Sequence, residues 1–352
     1  AAQFFDADGD QDLDLYVVTG GNEFQTGSVE LQDRFYRNDG KGTFTKEATL
    51  PNLMDNGACV TAGDFDRDGD LDLFVGSRMI SGQYGLSPTS ALLVNDGTGT
   101  FKVQTKRFLP TAELGMVTDA RWVDLDGDGF PELVTAQDWG PITVFKNERG
   151  RKLTPAPLPQ SEGFWNRLHP ADVDSDGDVD LIAGNLGLNN RLHASPETPA
   201  ELAVNDFDRN GTTDPIISCV TENGKVYPMV LKPDLQKAIP GIKTKFLKHT
   251  DYAEKTLDEL FDEAAREGMV KRQAVQAATC VLLNDGKSNL TLKPLPLEAQ
   301  LSPTYGIEAL DYDGDGKLDL VLAGNFFDVL PEIGRYDASF GTVLRGDGKG
   351  GF

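Results

Sequence analysis

The strongest constraint on this chain is one nine-residue acidic loop written six times. It places oxygen-bearing side chains at positions 1, 3, 5 and 9. The copies offer Asp6, Asp8, Asp10 and Asp14; Asp64, Asp66, Asp68 and Asp72; Asp124, Asp126, Asp128 and Glu132; Asp172, Asp174, Asp176 and Asp180; Asp206, Asp208, Asn210 and Asp214; and Asp311, Asp313, Asp315 and Asp319. Position 6 is Gly in five copies, at Gly69, Gly129, Gly177, Gly211 and Gly316, where a sharp turn suits a residue without Cβ. The first copy has Gln11 there, so its geometry is the least defined. Four converging carboxylates repel, by roughly 1 kcal/mol per pair in water and roughly 4 kcal/mol at an effective dielectric near 20. A bound divalent cation reverses that sign.

Hard oxygen ligands around a tight turn point to Ca²⁺, up to six ions in all. Mg²⁺ asks for a stricter octahedron, and no His or Cys enters any loop to favour Zn²⁺. The fifth loop, with Asn210 in place of an acid, is expected to bind more weakly than the second or fourth. A helix–loop–helix calcium site is disfavoured. Position 12 is never Glu, and the loops run into apolar strand-like stretches such as Leu71 to Val75 and Leu318 to Ala323.

A second motif accompanies the loops: Asn38-Asp-Gly, Asn95-Asp-Gly, Asn284-Asp-Gly and Gly346-Asp-Gly, with Asn147-Glu-Arg-Gly as a variant. Such turns join antiparallel strands, because positive φ is cheap there. One repeat reads strand, acidic loop, strand, variable loop, strand, turn, strand. That predicts an all-β chain, a β-propeller of four-stranded antiparallel blades forming one domain over 1–352. The loops begin at 6, 64, 124, 172, 206 and 311. The short fourth step implies a cramped fourth blade. The long fifth step implies an insertion at 225–277 within the fifth repeat. Leu257, Leu260, Phe261 and Ala264 predict a helix over 252–268 inside it, acting as a lid, a docking arm or a packing decoration.

The formal net charge is −23, and six Ca²⁺ ions would leave about −11, so the acidity reads largely as metal binding. No basic stripe supports a nucleic-acid partner. No apolar stretch is long enough for a transmembrane helix. Cys59, Cys219 and Cys280 lie in strand-like apolar contexts and read as small buried side chains.

The paired motifs resemble the FG-GAP/VCBS repeats of integrin-α-like propellers, whose loops have the form Asp-x-Asp-x-Asp-Gly-x-x-Asp. Gly115 to Ala120, Trp139 to Asn147 and Ala183 to Asn189 are similar to bacterial propellers of the ASPIC/UnbV, cartilage-acidic-protein type. The resemblance implies seven blades in the full-length protein, with the last blade and a small C-terminal domain outside this chain. It also implies a secreted or cell-surface location.

In such a propeller the acidic loops lie on one face, and the loops after each second strand lie on the other. Polar and aromatic residues expected there are Asn22, Arg78, Trp139, Asn185 and Asn325, with Asp119, Trp165 and Asn166 leading into inner strands. They suit a glycan or protein ligand, and equally suit structural closure of the funnel. No catalytic motif is present. Three readings stay open: a binding or adhesion module, a calcium-dependent polysaccharide enzyme using groups such as Arg78, Asp119, Asp138, Arg167 and His169, and a scaffold.

Overall fold

A computed structural model describes residues 1–48, 50–221, 224–329 and 334–352. Antiparallel sheets dominate it. The first blade pairs Ala2–Phe5, Asp14–Val17, Arg34–Arg37 and Thr45–Lys46 in chain order. The second pairs Asn56–Gly63, Asp72–Met79, Ala91–Val94 and Lys102–Val103. The third pairs Met116–Val123, Glu132–Gly140, Thr143–Asn147 and Leu153–Pro157, with Gly163–Phe164 added beyond a bulge.

The first strands of successive blades neighbour one another, and so form the inner wall of the propeller. Four apolar clusters lie between consecutive ring sheets. One joins the first and second blades through Phe5, Phe35, Leu73 and Phe101. Others join the second and third through Phe65, Phe74 and Leu133, the third and fourth through Val134, Trp165 and Leu181, and the fourth and fifth through Ile182, Val281 and Leu320.

Strand pairing divides the rest of the chain differently from the loop spacing. Asp180–Gly184 pairs with Cys280–Asn284, which continues to Leu290–Pro294. The fourth blade, opened by Arg167–Ala171, is therefore complete and split, not cramped. Residues 185–279 enter between its second and third strands, so the insertion is larger than 225–277 and includes the fifth acidic loop. The Asn284 turn serves the fourth loop, not the fifth. Gly306–Leu310, Asp319–Ala323 and Thr342–Leu344 form the last blade. Five of the acidic loops thus belong to ring blades, and one belongs to the insertion.

The inserted sheet has the order Val226–Pro228, Asp214–Val220, Ala200–Asn205, Val270–Ala274. Alternation gives it two apolar faces. Ala203, Phe207 and Ile216 face four short helices: Lys232–Ala238, Gly241–Lys245, His249–Ala253 and Leu257–Leu260. Leu202, Val204 and Ala274 face the propeller at Met116, Trp139 and Phe164. The single helix expected over 252–268 is replaced by two short ones and a turn. Thr256 caps the second of these, with Glu259 returning to the Thr256 amide at 2.9 Å. Among the described residues no helix is long and apolar enough to cross a membrane.

Candidate metal loops and a candidate binding cleft

All six loops fold alike. The amide of position 6 donates to Oδ2 of position 1, from Gln11 to Asp6 at 3.0 Å and from Gly69, Gly129, Gly177, Gly211 and Gly316 at 2.8–3.2 Å. The amide of position 7 donates to the side chain at position 5, for example Asp178 to Asp176 at 2.9 Å and Thr212 to Asn210 at 2.8 Å. Gln11 adopts the same left-handed backbone as the glycines, at φ +72°. Position 4 is left-handed too, at Gly9, Arg67, Gly127, Ser175, Arg209 and Gly314, a requirement that residue identity alone did not reveal.

Position 9 starts the second strand, and its side chain is buried in every copy. In the ring blades it accepts the amide of the Asp-Gly turn: Asn38 to Asp14, Asn95 to Asp72, Asn147 to Glu132, Asn284 to Asp180 and Gly346 to Asp319, at 2.8–3.5 Å. Four of these carboxylates also accept the amide of position 2, at Ala7, Leu125, Val173 and Tyr312. The turn asparagines then cross between blades. Asn95, Asn147 and Asn284 donate to the carbonyls of Ala7, Phe65 and Leu125 in the preceding blade's loop, at 2.7–2.8 Å.

Carboxylates converge inside this frame. Asp6, Asp8 and Asp10 each place an oxygen within 4.8 Å of the others; so do Asp64, Asp66 and Asp72; Asp124, Asp126 and Glu132; Asp172, Asp174 and Asp180; and Asp206, Asp208 and Asp214. In the second loop Asp64 Oδ1, Asp66 Oδ1 and Asp72 Oδ2 are buried and accept no hydrogen bond among the described residues. Asp124 Oδ1, Asp172 Oδ1 and Asp208 Oδ1 are in the same condition. Burial, ahead of neighbouring loop carboxylates, pushes Asp72 up to about 8 and Glu132 to about 7. Burial also raises Asp180 and Asp214 to about 6. Clustered, desolvated oxygens without donors are the arrangement a hard cation satisfies, so these residues fit Ca²⁺. Bound there, the ion would neutralise the carboxylates and fix the loop; it would supply no reaction.

The opposite face carries a cleft of 320 Å³ between the propeller and the inserted sheet. Arg78, Trp139 and Asn166, three of the residues expected on this face, meet there. Arg78 Nη2 donates to Asp138 Oδ2 at 2.8 Å, and the Tyr84 hydroxyl donates to the same oxygen at 2.8 Å. Trp139 Nε1 donates to Tyr84 at 2.9 Å, and its ring meets Phe164 edge-on. The insertion supplies Leu186, Leu192, Ile217, Met229 and Val230. These aliphatic residues had no sequence signal, because only the split fourth blade brings them over the funnel. Arg272 pins the insertion down, donating to the Gly85 carbonyl at 2.6 Å and to Ser87 Oγ at 2.7 Å. A side chain at Gly85 would collide with Val204.

The other expected ligand residues lie elsewhere. Trp165 is fully buried, with Nε1 donating to the Ser161 carbonyl at 2.6 Å. Asn185 is also fully buried, accepting the amides of Phe164 and Leu186 and donating to the Gln276 carbonyl. Asn325 links Ser302 and Ser339. Asn22 is exposed and accepts the Gly82 amide, tying the first blade to the second. Asp119 is buried between inner strands, accepting from Leu168 and Arg121, with Arg167 at 3.6 Å. Arg78–Asp138 and Asp119–Arg167 are thus two separate ion pairs. His169 lies near the second, its pKa lowered by burial.

A hollow of 280 Å³ between the first and second blades includes Asp33, whose carboxylate is already held by the Tyr16 hydroxyl and the Thr19 amide. The three cysteines are free thiols. Burial pushes Cys59 and Cys280 up to about 12 and Cys219 to about 11, which leaves them unreactive.

The model of the FG-GAP-like repeat matches residues 6–75 and 124–183. Among solved structures it is similar to the V. cholerae biofilm matrix protein Bap1, at 15% identity and a TM-score of 0.33, covering 84% of this chain and 38% of that one. It is similar also to the Photorhabdus luminescens Tc holotoxin pore, at 13% identity and a TM-score of 0.26, covering 91% of this chain and 13% of that one. The chain therefore spans well under two thirds of either. No curated protein matches it.

Proposed function

We propose that this chain is a calcium-stabilised propeller acting outside the cytoplasm as a binding module for a glycan or protein ligand. The observation that carries the reading is the division of labour between the two faces. On one face the acidic side chains are committed to loop, turn and neighbouring blade. On the other, Arg78, Trp139 and Asn166 meet the inserted sheet around a cleft. The ions act on stability, and ligand contact falls to the cleft. All-oxygen Ca²⁺ sites are filled most readily in a calcium-rich compartment, outside the cytoplasm. The ASPIC/UnbV-like strings point the same way.

Glycan and peptide arrays probed with the full chain, in Ca²⁺ and in EGTA, test this. Binding in Ca²⁺ that is lost in EGTA together with the fold is expected. No binding to any ligand on either array would overturn the reading in favour of a scaffold.

A further inference from the structure

The cleft's chemistry is more specific than its position. Its walls from the insertion are branched or flexible aliphatics, Leu192, Ile217, Met229 and Val230. A saccharide carries a hydroxyl on nearly every carbon, and a hydroxyl set against such a wall gives up water without gaining a partner. The indole that would stack on a sugar ring, Trp139, is only 3% exposed and already holds Phe164 edge-on.

Polar groups line two parts of it. The hydroxyl of Tyr336, a residue 6% exposed, is buried near Cys219 and Arg191 and makes no hydrogen bond among the described residues. The bonds of Asp138 fall on Oδ2, leaving Oδ1 as an acceptor, and Arg78 donates only through Nη2. The Asn166 side-chain amide makes no hydrogen bond among the described residues. Arg78 and Asp138 thus set a donor and an acceptor side by side next to an apolar hole. Its charge is balanced, since Arg78 is matched by Asp138 and Asp234 by Lys237. A free carboxylate is therefore a poor fit, and a neutral amide is a good one. Tyr305, Phe326 and Leu231 line the cleft and remain 42%, 38% and 49% exposed, so apolar surface continues past the mouth. That suits a chain more than an isolated small molecule.

We propose that the cleft binds an apolar peptide segment, with one bulky side chain between the inserted sheet and the propeller and its backbone amide at Arg78 and Asp138. This rests on the binding-module reading and narrows its ligand to protein. A volume of 320 Å³ is near the lower end of ligand cavities, about 300–1,000 Å³, and accommodates a side chain better than a whole lipid.

The test titrates the full chain in Ca²⁺ with acetyl-Leu-Phe-Leu-amide. Acetyl-Ser-Asn-Ser-amide, laurate and a glycan array run beside it. The apolar peptide should bind at least about ten-fold more tightly than the polar one. Ile217→Trp, which fills the hole from a half-buried strand position, should abolish binding. Arg78→Met keeps the aliphatic stem of a half-exposed side chain and removes the donor to the amide, so it should weaken binding with little change in melting temperature; this variant decides the matter if Ile217→Trp does not fold. Glycan or laurate binding without peptide binding would overturn the peptide inference and leave the binding-module reading standing. Silence from every probe would sink both.

Discussion

The acidic loop of the inserted sheet and those of the ring blades have the same backbone and different surroundings. In the ring, position 9 is fastened to an Asp-Gly turn, and turn asparagines reach back to the preceding blade. In the insertion, among the described residues, Asp214 accepts only the Phe207 amide, at 3.3 Å. Position 2 differs as well. Phe65, Leu125 and Val173 each plug into the core shared with the next blade. Phe207 instead stacks on Phe261 at 4.2 Å, within the helical segment. Helices thus cover the inserted sheet where a neighbouring blade would in the ring. The loop motif specifies a turn and a cation cage; the turn amide and asparagine specify a ring blade.

The largest expected effect treats both kinds of loop alike. Chelation by EGTA at constant ionic strength should lower the melting temperature by at least about 10 °C, since each site held at a hundred times its dissociation constant contributes about 2.7 kcal/mol. An unchanged melting temperature would remove the metal assignment from ring and insertion together.

Next comes the sign of the pH dependence. Without metal, Asp72, Glu132, Asp180 and Asp214 have folded pKa values raised to about 8, 7, 6 and 6, above their ordinary carboxylate range. The folded state then holds more protons than the unfolded chain, so stability is greatest at low pH and is lost as pH rises through roughly 4–8. With Ca²⁺ the carboxylates are kept ionised, and stability should instead fall as pH drops. Urea midpoints at pH 5 and pH 8, with and without Ca²⁺, should show opposite slopes. Parallel slopes would mean that the acids do not share an ion.

Site substitutions separate the two kinds of loop. In Ca²⁺, Asp180→Ala strands the amides of Val173 and Asn284 and should cost about 3 kcal/mol. Asp214→Ala strands one amide and should cost about 1 kcal/mol. Equal losses in urea denaturation would show that the turn tether is not what distinguishes a ring loop. Asn95→Ala should cost about 2 kcal/mol, because the carbonyls of Ala7 and Leu71 both lose their donor. Hydrogen exchange should then rise in the first blade's loop as well as the second's; a change confined to the second would break the proposed inter-blade link.

Much of this was legible because the signals are local. Loop turns and strand alternation are set by residues close in sequence, and the six loops with the strands beside them formed where the pattern placed them. The split fourth blade was not, because Asp180–Gly184 and Cys280–Asn284 pair across residues 185–279. One clue was present: the fourth loop has no Asn-Asp-Gly turn before the fifth begins, so Asn284 was its available partner. The cleft was only half legible. Arg78 and Trp139 end second strands and Asn166 leads into an inner strand, positions the repeat predicts, but Ile217, Met229 and Tyr336 join them through long-range packing. Trp165 and Asn185 satisfy the pattern of a ligand contact while serving the core.

The smallest expected effect concerns the first loop, where Gln11 occupies a position held by Gly in the other five. At φ +72° a residue with Cβ carries a strain of about 1 kcal/mol, partly offset by the greater unfolded-state freedom of Gly. Gln11→Gly should therefore gain about 0.5 kcal/mol and raise the melting temperature by about 1–2 °C in Ca²⁺. The inserted loop should respond oppositely at its own left-handed position. Arg209 has φ +60°, but its Nη2 donates to the Ala264 carbonyl at 3.2 Å, tying the loop to the helical segment. Arg209→Gly relieves backbone strain and removes that tie, so it should give no gain. A rise for Arg209→Gly equal to that for Gln11→Gly would mean that the helical cover contributes nothing through this contact, and that the inserted loop stands as freely as its turn geometry alone allows.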